Sequence, residues 1–295
     1  MDELEALEAL LRARPASMSI EQRRDAYDAL GDRFPLEADV YRRSESIGNI
    51  RGEWTLAPSA NAGTVVLYLH GGGYVYGSLK SHRHLVSELG RAAGVTTFAL
   101  DYRRAPEHPY PAAIDDALEA YQALLKDYEP SRVALAGDSA GGGLAVALLL
   151  KLRELGLPQP SGCLLLSPWV DMTAHANSYV ANAQRDPVVN REIIQFVTTQ
   201  YLGTLSRELP LASPVFADLR GIAPLAILVG ATETLLDDSL ALSRRAAIGD
   251  VPVTIEVWPR MFHIWATYHP VLEEGRRAVQ RCGSILSAFL HASVR

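Results

Sequence analysis

Residues 132–150 read RVALAGDSAGGGLAVALLL, and this stretch places an acid and a serine between two apolar segments. The first segment is predicted to be a buried strand, and the second is long, apolar and predicted to be a helix. Between them, residues 137–141 (GDSAG) match Gly-x-Ser-x-Gly, the pattern of a nucleophile elbow. A serine on so sharp a turn has a strained backbone, and its neighbours two residues away must be nearly free of side chains. The turn lifts the hydroxyl clear of the sheet beside the free amides of a helix N-terminus, so we predict that Ser139 is a nucleophile.

The length and composition are those of an ordinary globular protein. The chain has 295 residues, of which 48% are hydrophobic and 21% are charged, enough for one large domain or two small ones. The net charge of -6 repels phosphate backbones, and no block of Lys or Arg offsets it. We therefore expect no nucleic-acid partner.

The N-terminus and the cysteines bear on the compartment. Residues 1–15, MDELEALEALLRARP, are acidic and amphipathic, whereas a secretory signal needs a basic start and an unbroken apolar centre. No apolar run approaches the roughly 20 residues that span a bilayer. Cys163 and Cys282 form no Cys-x-x-Cys pair, so we expect two packed thiols and neither a zinc site nor a disulfide framework. We expect a cytoplasmic protein without a membrane span.

Short apolar runs recur along the chain and alternate with helical patterns. The runs predicted to be strands are 64–70, 95–101, 132–138, 163–167, 225–230 and 253–258. The segments predicted to be helices are 80–93, 112–127, 140–155, 236–248 and 272–292. Runs that are apolar on both faces and alternate with helices are typical of a parallel sheet covered on both sides. We therefore predict an α/β fold with a mostly parallel central sheet flanked by helices.

Two regions do not follow this alternation. Residues 1–35 are predicted to form two helices, and residues 172–215 are polar and irregular with one helix near 190–203. Loops longer than about 15 residues usually carry function or structure of their own, so we predict that the two regions pack together as a lid. The alternative is a disordered tail and a long loop. We divide the chain into a catalytic domain, residues 46–180 and 206–295, and a helical cap, residues 1–45 and 181–205.

A glycine-rich loop, YLHGGGYVYGS (68–78), ends the first of the central strands. Acyl transfer needs backbone N–H donors aimed at a developing oxyanion, and glycines let the backbone approach the substrate closely. The HGGG part has the form used by lipases and esterases, and we assign the donors to the N–H groups of Gly72, Gly73 and Ala140. His70 is interpreted as a residue that holds the loop by hydrogen bonds and not as the proton carrier.

Four segments stand in a recognisable order along the chain. They read HGGGYVYGS (70–78), LDYRRAPEHPYPAAIDD (100–116), GDSAGGGLA (137–145) and LSPWVDMT (166–173). In this order, from about residue 50 onward, they resemble the hormone-sensitive-lipase-like branch of the α/β-hydrolases. The resemblance implies a serine carboxylesterase with an eight-stranded sheet and a helical cap, acting on small acyl esters without a cofactor or metal. Tyr74, Trp169 and the 180–205 segment are candidates for the pocket lining.

The catalytic groups of this fold follow the order Ser, acid, His along the chain. Only His263 and His269 lie beyond the last predicted strand, and VWPRMFHIW (257–265) resembles the family segment before the catalytic histidine. That resemblance selects His263 as the base.

The acid is sought in VGATETLLDDS (229–239), directly after a predicted strand. Many family members carry Asp where this chain has Glu233, and a carboxylate of either length can orient an imidazole. We predict Glu233, because the position directly after the strand reaches the histidine turn. Asp237, one helical turn later, stays the alternative.

These residues predict hydrolysis of short- to medium-chain acyl esters through an acyl-enzyme intermediate. An amidase or peptidase on the same fold would use the same triad and is the first alternative. A non-catalytic ligand-binding member is the second, although it predicts loss of a nucleophile or histidine that this chain retains. The closing amphipathic helix is compatible with a monomer, and the resemblance implies a homodimer contact there.

Overall fold

A computed structural model describes residues 2–13, 18–58 and 60–291 of the chain. The strands in these ranges are β1 (Tyr41–Ile47), β2 (Ile50–Leu56), β3 (Asn61–Leu69), β4 (Val95–Leu100), β5 (Val133–Asp138), β6 (Cys163–Leu166), β7 (Leu225–Gly230) and β8 (Val253–Trp258). They form one eight-stranded sheet in the order β1-β2-β4-β3-β5-β6-β7-β8. The pairs that involve β2 are antiparallel and all the others are parallel, which confirms the predicted mostly parallel sheet.

Helices cover both faces of the sheet. They are α1 (Glu3–Arg12), α2 (Ile20–Arg33), α3 (Leu79–Ala93), α4 (Ala112–Leu124), α5 (Ala140–Glu154), α6 (Ser178–Ala181), α7 (Arg191–Leu202), α8 (Leu236–Ile248) and α9 (Glu273–His291). Buried residues of α3 and α9 build the core on one face, and those of α4, α5 and α8 build the core on the other. Every helix predicted between or after the strands is present within a few residues.

Strand β3 shows why the central runs carry no alternation of apolar and polar residues. Val65, Leu67 and Leu69 enter one core, whereas Val66 and Tyr68 enter the other, and none is more than 1% exposed. Because both faces are buried, both sets of side chains must be apolar.

Strands β1 and β2 were not predicted from the pattern, although the resemblance implied eight strands. Residues 41–46 of β1 are all exposed, because this strand lies at the sheet edge and only β2 pairs with it. Its sequence, YRRSESI, therefore has no apolar face to detect. The predicted boundary between residues 45 and 46 falls inside β1.

The N-terminal helices are attached to the rest of the chain in two different ways. Helix α1 buries Leu4, Leu7 and Leu11 in the core cluster that α3 and α9 build. Its first residues also contact chain positions far away, since Asp2 pairs with Arg260 at 2.9 Å and Glu3 accepts from the Glu273 amide at 2.9 Å. Helix α2 buries none of its residues.

One polar face of α2 adds ion pairs and hydrogen bonds to the packing of its partly buried apolar residues. It carries Arg24, Asp28 and Asp32, which are spaced four residues apart and so lie on the same side of the helix. Arg24 forms a bidentate pair with Glu107 and donates to the Val75 carbonyl at 2.9 Å. Asp28 accepts from Ser78, and Asp32 pairs with Lys80 at 2.8 Å. These contacts hold α2 beside the glycine-rich loop.

The parallel arrangement brings five loops to one edge of the sheet. Strands β3, β5, β6, β7 and β8 are neighbours in parallel orientation, so their carboxyl ends lie side by side. Open α/β sheets place their sites at this edge. The loops that carry the predicted nucleophile, acid, histidine and oxyanion donors all begin there.

Candidate active site

Ser139 occupies a strained turn between β5 and α5. Its φ and ψ are 51° and -121°, a conformation that a residue with a side chain rarely adopts. The neighbouring glycines are required because a Cβ on Gly137 would lie 2.4 Å from the Gly141 carbonyl oxygen, and one on Gly141 would lie 2.0 Å from that of Leu69. The spacing read from the sequence thus has the expected steric cause.

The structure brings the three predicted catalytic side chains together. The Oγ of Ser139 lies 2.9 Å from Nε2 of His263, and Nδ1 of His263 lies 3.0 Å from Oε2 of Glu233. Glu233 is 0% exposed, His263 1% and Ser139 9%. Burial alone would lower the pKa of His263, but the hydrogen bond and charge of Glu233 outweigh it and raise that pKa above its ordinary value.

The Glu233 carboxylate is held on its other oxygen. Its Oε1 accepts from the Gly230 amide at 2.6 Å and from the Ser167 hydroxyl at 2.6 Å. Ser167 was not among the site residues predicted from the sequence, although it lies inside the LSPWVDMT segment. Its position, a polar residue directly after β6, is the signal that would have placed it at this sheet edge.

Asp237 lies away from the histidine. Its Oδ2 accepts from the Ser178 amide at 2.8 Å, and it stands in the first turn of α8. The structure therefore brings Glu233, and not the alternative Asp237, to His263.

The glycine-rich loop lies beside Ser139 with its amides available. Gly72 and Gly73 have φ values of 112° and 64°, and among the described residues no acceptor is found for either N–H group. Ala140 is the first residue of α5, so its N–H has no partner within the helix. Gly72, Gly73 and Ser139 border the same cavity.

The Asp138 side chain holds the glycine-rich loop through a hydrogen bond. It is fully buried, and its Oδ1 accepts from the Gly71 amide at 2.9 Å and from the Tyr68 hydroxyl at 2.7 Å. Burial would raise the pKa of Asp138, but the neighbouring His82 and the Tyr68 hydroxyl outweigh it and lower that pKa. The elbow acid thus has a structural role, in holding the glycine-rich loop.

His70 also holds the loop. Its Nδ1 lies 2.8 Å from the Gly71 carbonyl oxygen, which only accepts, so this nitrogen carries the proton. The ring stacks on Tyr102 with centroids 4.2 Å apart. Burial, with the nearby His82, lowers the pKa of His70 to about 3. The interpretation of His70 as a loop-holding residue agrees with these contacts.

A cavity of about 1060 Å³ opens above Ser139 and His263. One wall comes from α1, α2 and residues 18–19, and another comes from residues 183–197. Trp169 borders the cavity as predicted, but Tyr74 does not.

Tyr74 has a φ of 62°, and its ring lies inside the protein, where it stacks on Tyr201 with ring centroids 3.9 Å apart. Tyr74 therefore packs against α7, whose first residues line the cavity, and does not line the cavity itself.

Asp186 is a second carboxylate near the histidine that sequence analysis missed. Its Oδ1 accepts from the amides of Val188 and Val189 at 2.9 and 3.2 Å, and its Oδ2 accepts from the Thr234 amide at 2.9 Å. Burial raises its pKa to about 6. This side chain ties the 183–197 wall to the loop that carries Glu233. A single acid in a polar segment carries no pattern that would reveal this.

The described ranges contain neither a metal-binding cluster nor a membrane-spanning helix. Within residues 2–13, 18–58 and 60–291, no group of three or more His, Cys, Asp and Glu side chains could hold a metal ion. In that same part of the chain, no helix combines the length and apolar character needed to cross a bilayer.

Known proteins that are similar to this chain are hydrolases and esterases. The model of the alpha/beta hydrolase fold family matches residues 66–267. An acetyl-hydrolase from Streptomyces hygroscopicus is 45% identical over 90% of this chain and 89% of its own length. An esterase from Acinetobacter venetianus is 34% identical over 87% of this chain and 85% of its own length. The crystal structure of an esterase from the bacterial hormone-sensitive lipase family matches with a TM-score of 0.95 and 43% identity, over 98% of each chain.

Proposed function

This chain belongs to the hormone-sensitive-lipase-like family of α/β-hydrolases and is a carboxylic ester hydrolase, and from that premise we propose that it works as a serine enzyme. The observation that carries the proposal is the chain of hydrogen bonds from Ser139 through His263 to Glu233 at the floor of the cavity. Ser139 is the nucleophile, His263 the general base and Glu233 the acid of the triad.

The first half of the reaction forms an acyl-enzyme. Ser139 Oγ attacks the ester carbonyl carbon while its proton passes to Nε2 of His263. The carbonyl oxygen becomes an oxyanion, which the N–H groups of Gly72, Gly73 and Ala140 receive, each donor contributing about 3 kcal/mol to the lowering of the barrier. The intermediate then collapses, and the alcohol leaves with the proton from His263.

Water completes the cycle along the same route. His263 takes a proton from water, whose oxygen attacks the acyl carbon, and the second tetrahedral intermediate releases the carboxylic acid as Ser139 recovers its proton. Throughout, Glu233 keeps the imidazole in the tautomer that presents Nε2 to Ser139 and stabilises the imidazolium when it forms.

We propose short- to medium-chain acyl esters as substrates. The support is the family resemblance, together with the acetyl-hydrolase name of the 45% identical relative. The cavity of about 1060 Å³ accommodates both the acyl and the alcohol part of such an ester.

Hydrolysis of p-nitrophenyl esters from acetate to laurate tests the function and the chain length together. We expect the highest kcat/KM for acetate or butyrate, and a value at least about 10-fold lower for laurate, as the proposed preference for short- to medium-chain esters requires. A maximum at laurate would contradict the proposed chain length, and hydrolysis of none of the esters would contradict the proposed function.

The activity should fall on the acid side. His263 accepts a proton only when neutral, and its pKa is raised above 6.5, so kcat/KM should decrease below a midpoint that lies above pH 6.5. Asp186 also titrates nearby, with a pKa of about 6. The pH profile of Asp186→Asn separates the two groups: a limb that persists in this variant belongs to His263. A limb that disappears with Asp186, or a flat profile down to about pH 5.5, would contradict the assignment.

We further propose that residues 1–40 and 181–205 act as a cap over a catalytic domain of residues 41–180 and 206–295, the boundary being moved from residue 45 to residue 40 so that the whole of β1 lies in the catalytic domain. The support is that both walls of the cavity come from the cap segments. The ester would enter between them.

We propose a cytoplasmic enzyme that can pair with a second copy. Cys163 and Cys282 are free and buried, and burial raises the pKa of both thiols, which fits a reducing compartment.

Strand β8 is an edge of the sheet, with Val257 43% exposed, and is the surface we propose for the homodimer.

A further inference from the structure

Ser167 is a buried polar residue in an uncommon conformation. It follows β6 directly, is 0% exposed, and has a φ of 48°. A side-chain-bearing residue in this region is uncommon and persists where its surroundings hold it there. The conformation turns its hydroxyl toward the loops after β7 and β8, the two strands that carry the acid and the histidine.

The hydroxyl of Ser167 bridges these two loops. It lies 2.6 Å from Oε1 of Glu233 and 3.1 Å from the amide nitrogen of Ile264, the residue after His263. An ionised carboxylate only accepts and an amide only donates, so the directions are fixed: Ser167 donates to Glu233 and accepts from Ile264. Ile264 itself has a φ of 49°, so the bridge joins two residues in uncommon backbone conformations.

The two hydrogen bonds of Ser167 affect the orientation of the Glu233 carboxylate and the position of the backbone next to His263. Glu233 has one more rotatable bond than an aspartate, and the donors on Oε1 decide which way its Oε2 points. The amide of Gly230 is one of these donors and Ser167 is the other. At the other end, the Ile264 bond fixes the backbone next to the histidine.

We propose that Ser167 is a positioning residue for the Glu233–His263 pair, a role that rests on the serine mechanism proposed above. Its hydroxyl keeps Oε2 of Glu233 on Nδ1 of His263. It also keeps the backbone after His263 in place, so that Nε2 stays within reach of Ser139 Oγ.

Ser178 provides a matched control. It is also buried, and its hydroxyl donates to the Thr234 carbonyl at 2.7 Å and accepts from the Asp237 amide at 3.2 Å. It therefore braces the same acid loop without touching the Glu233 carboxylate. If Ser167→Ala lowered kcat only by loosening this loop, Ser178→Ala would lower kcat by a similar factor.

The experiment is a double-mutant cycle on p-nitrophenyl acetate. Ser167→Ala should lower kcat by about 10- to 100-fold with KM changed less than about 2-fold, the effect of one lost donor to a charged group. Ser178→Ala should change kcat less than about 3-fold. In a Glu233→Gln background, adding Ser167→Ala should cost less than about 3-fold more, because the larger part of the serine's effect passes through that carboxylate and only the contribution of the Ile264 bond is left.

Several outcomes would overturn the proposal. A kcat of Ser167→Ala within about 3-fold of the wild type would do so, and so would the same loss with and without Glu233→Gln. If Ser167→Ala does not fold, Ser167→Cys replaces it, since a thiol keeps the volume but donates weakly, and wild-type kcat in that variant would be contradictory. If Glu233→Gln alone retains full activity, the proposed triad fails, which is a different result from failure of Ser167.

Discussion

Ser139→Ala is expected to lower kcat for p-nitrophenyl acetate by about 10⁴- to 10⁶-fold, the largest effect of any single change in this chain. The substitution removes the atom that forms the acyl-enzyme, and no other hydroxyl lies against Nε2 of His263 among the described residues. What activity persists comes from substrate binding and the oxyanion donors.

The variant should fold like the wild type. Alanine has a Cβ like serine, so the turn is no more strained, and the Ser139 amide keeps its bond to the Leu166 carbonyl at 2.9 Å. Equal thermal unfolding midpoints for the two proteins would make the loss of kcat a chemical effect. Turnover that survives in a folded Ser139→Ala protein would remove the central proposal and return the amidase and ligand-binding alternatives to consideration.

The pair Glu233→Gln and Asp237→Asn should separate the two candidate acids. We expect Glu233→Gln to lower kcat by about 10⁴-fold, because the neutral amide no longer stabilises the imidazolium or fixes the tautomer of His263. Asp237→Asn should stay within about 3-fold of the wild type, since an amide oxygen can still accept from the Ser178 amide.

Each substitution replaces a carboxylate with an amide of the same shape, so the two variants are matched in size and charge change. Steady-state kinetics on p-nitrophenyl acetate, with thermal unfolding of both variants, gives the comparison. Large loss in Asp237→Asn with little loss in Glu233→Gln would reverse the assignment of the acid.

The parts of the site that could be predicted from sequence are those with local causes. The elbow is a contiguous five-residue pattern around Ser139, and a Cβ on Gly137 would collide with Gly141 inside it, although the contact that excludes a side chain at Gly141 is with Leu69 of β3. The glycine loop is equally local. His263 and Glu233 were placed by chain order and by their positions after strands, which a parallel sheet converts into proximity.

The parts that could not be predicted depend on contacts between distant segments. Ser167 meets Glu233 across 66 positions and Asp186 meets the Thr234 amide across 48, and neither pairing leaves a pattern in the sequence. Tyr74 was expected on the cavity wall because it follows the glycine loop, but the side a residue faces depends on a positive φ that the sequence does not reveal.

The contacts of α1 tie completion of the cavity to the order of synthesis. The ribosome makes Asp2 258 positions before its partner Arg260, and it makes Glu3 270 positions before its partner Glu273. Until α9 has emerged, the leucine face of α1 has only part of its core to pack against. Helix α1 thus gains its full support only after every strand of the sheet has been made, and a nascent chain carries the nucleophile long before it carries a finished pocket.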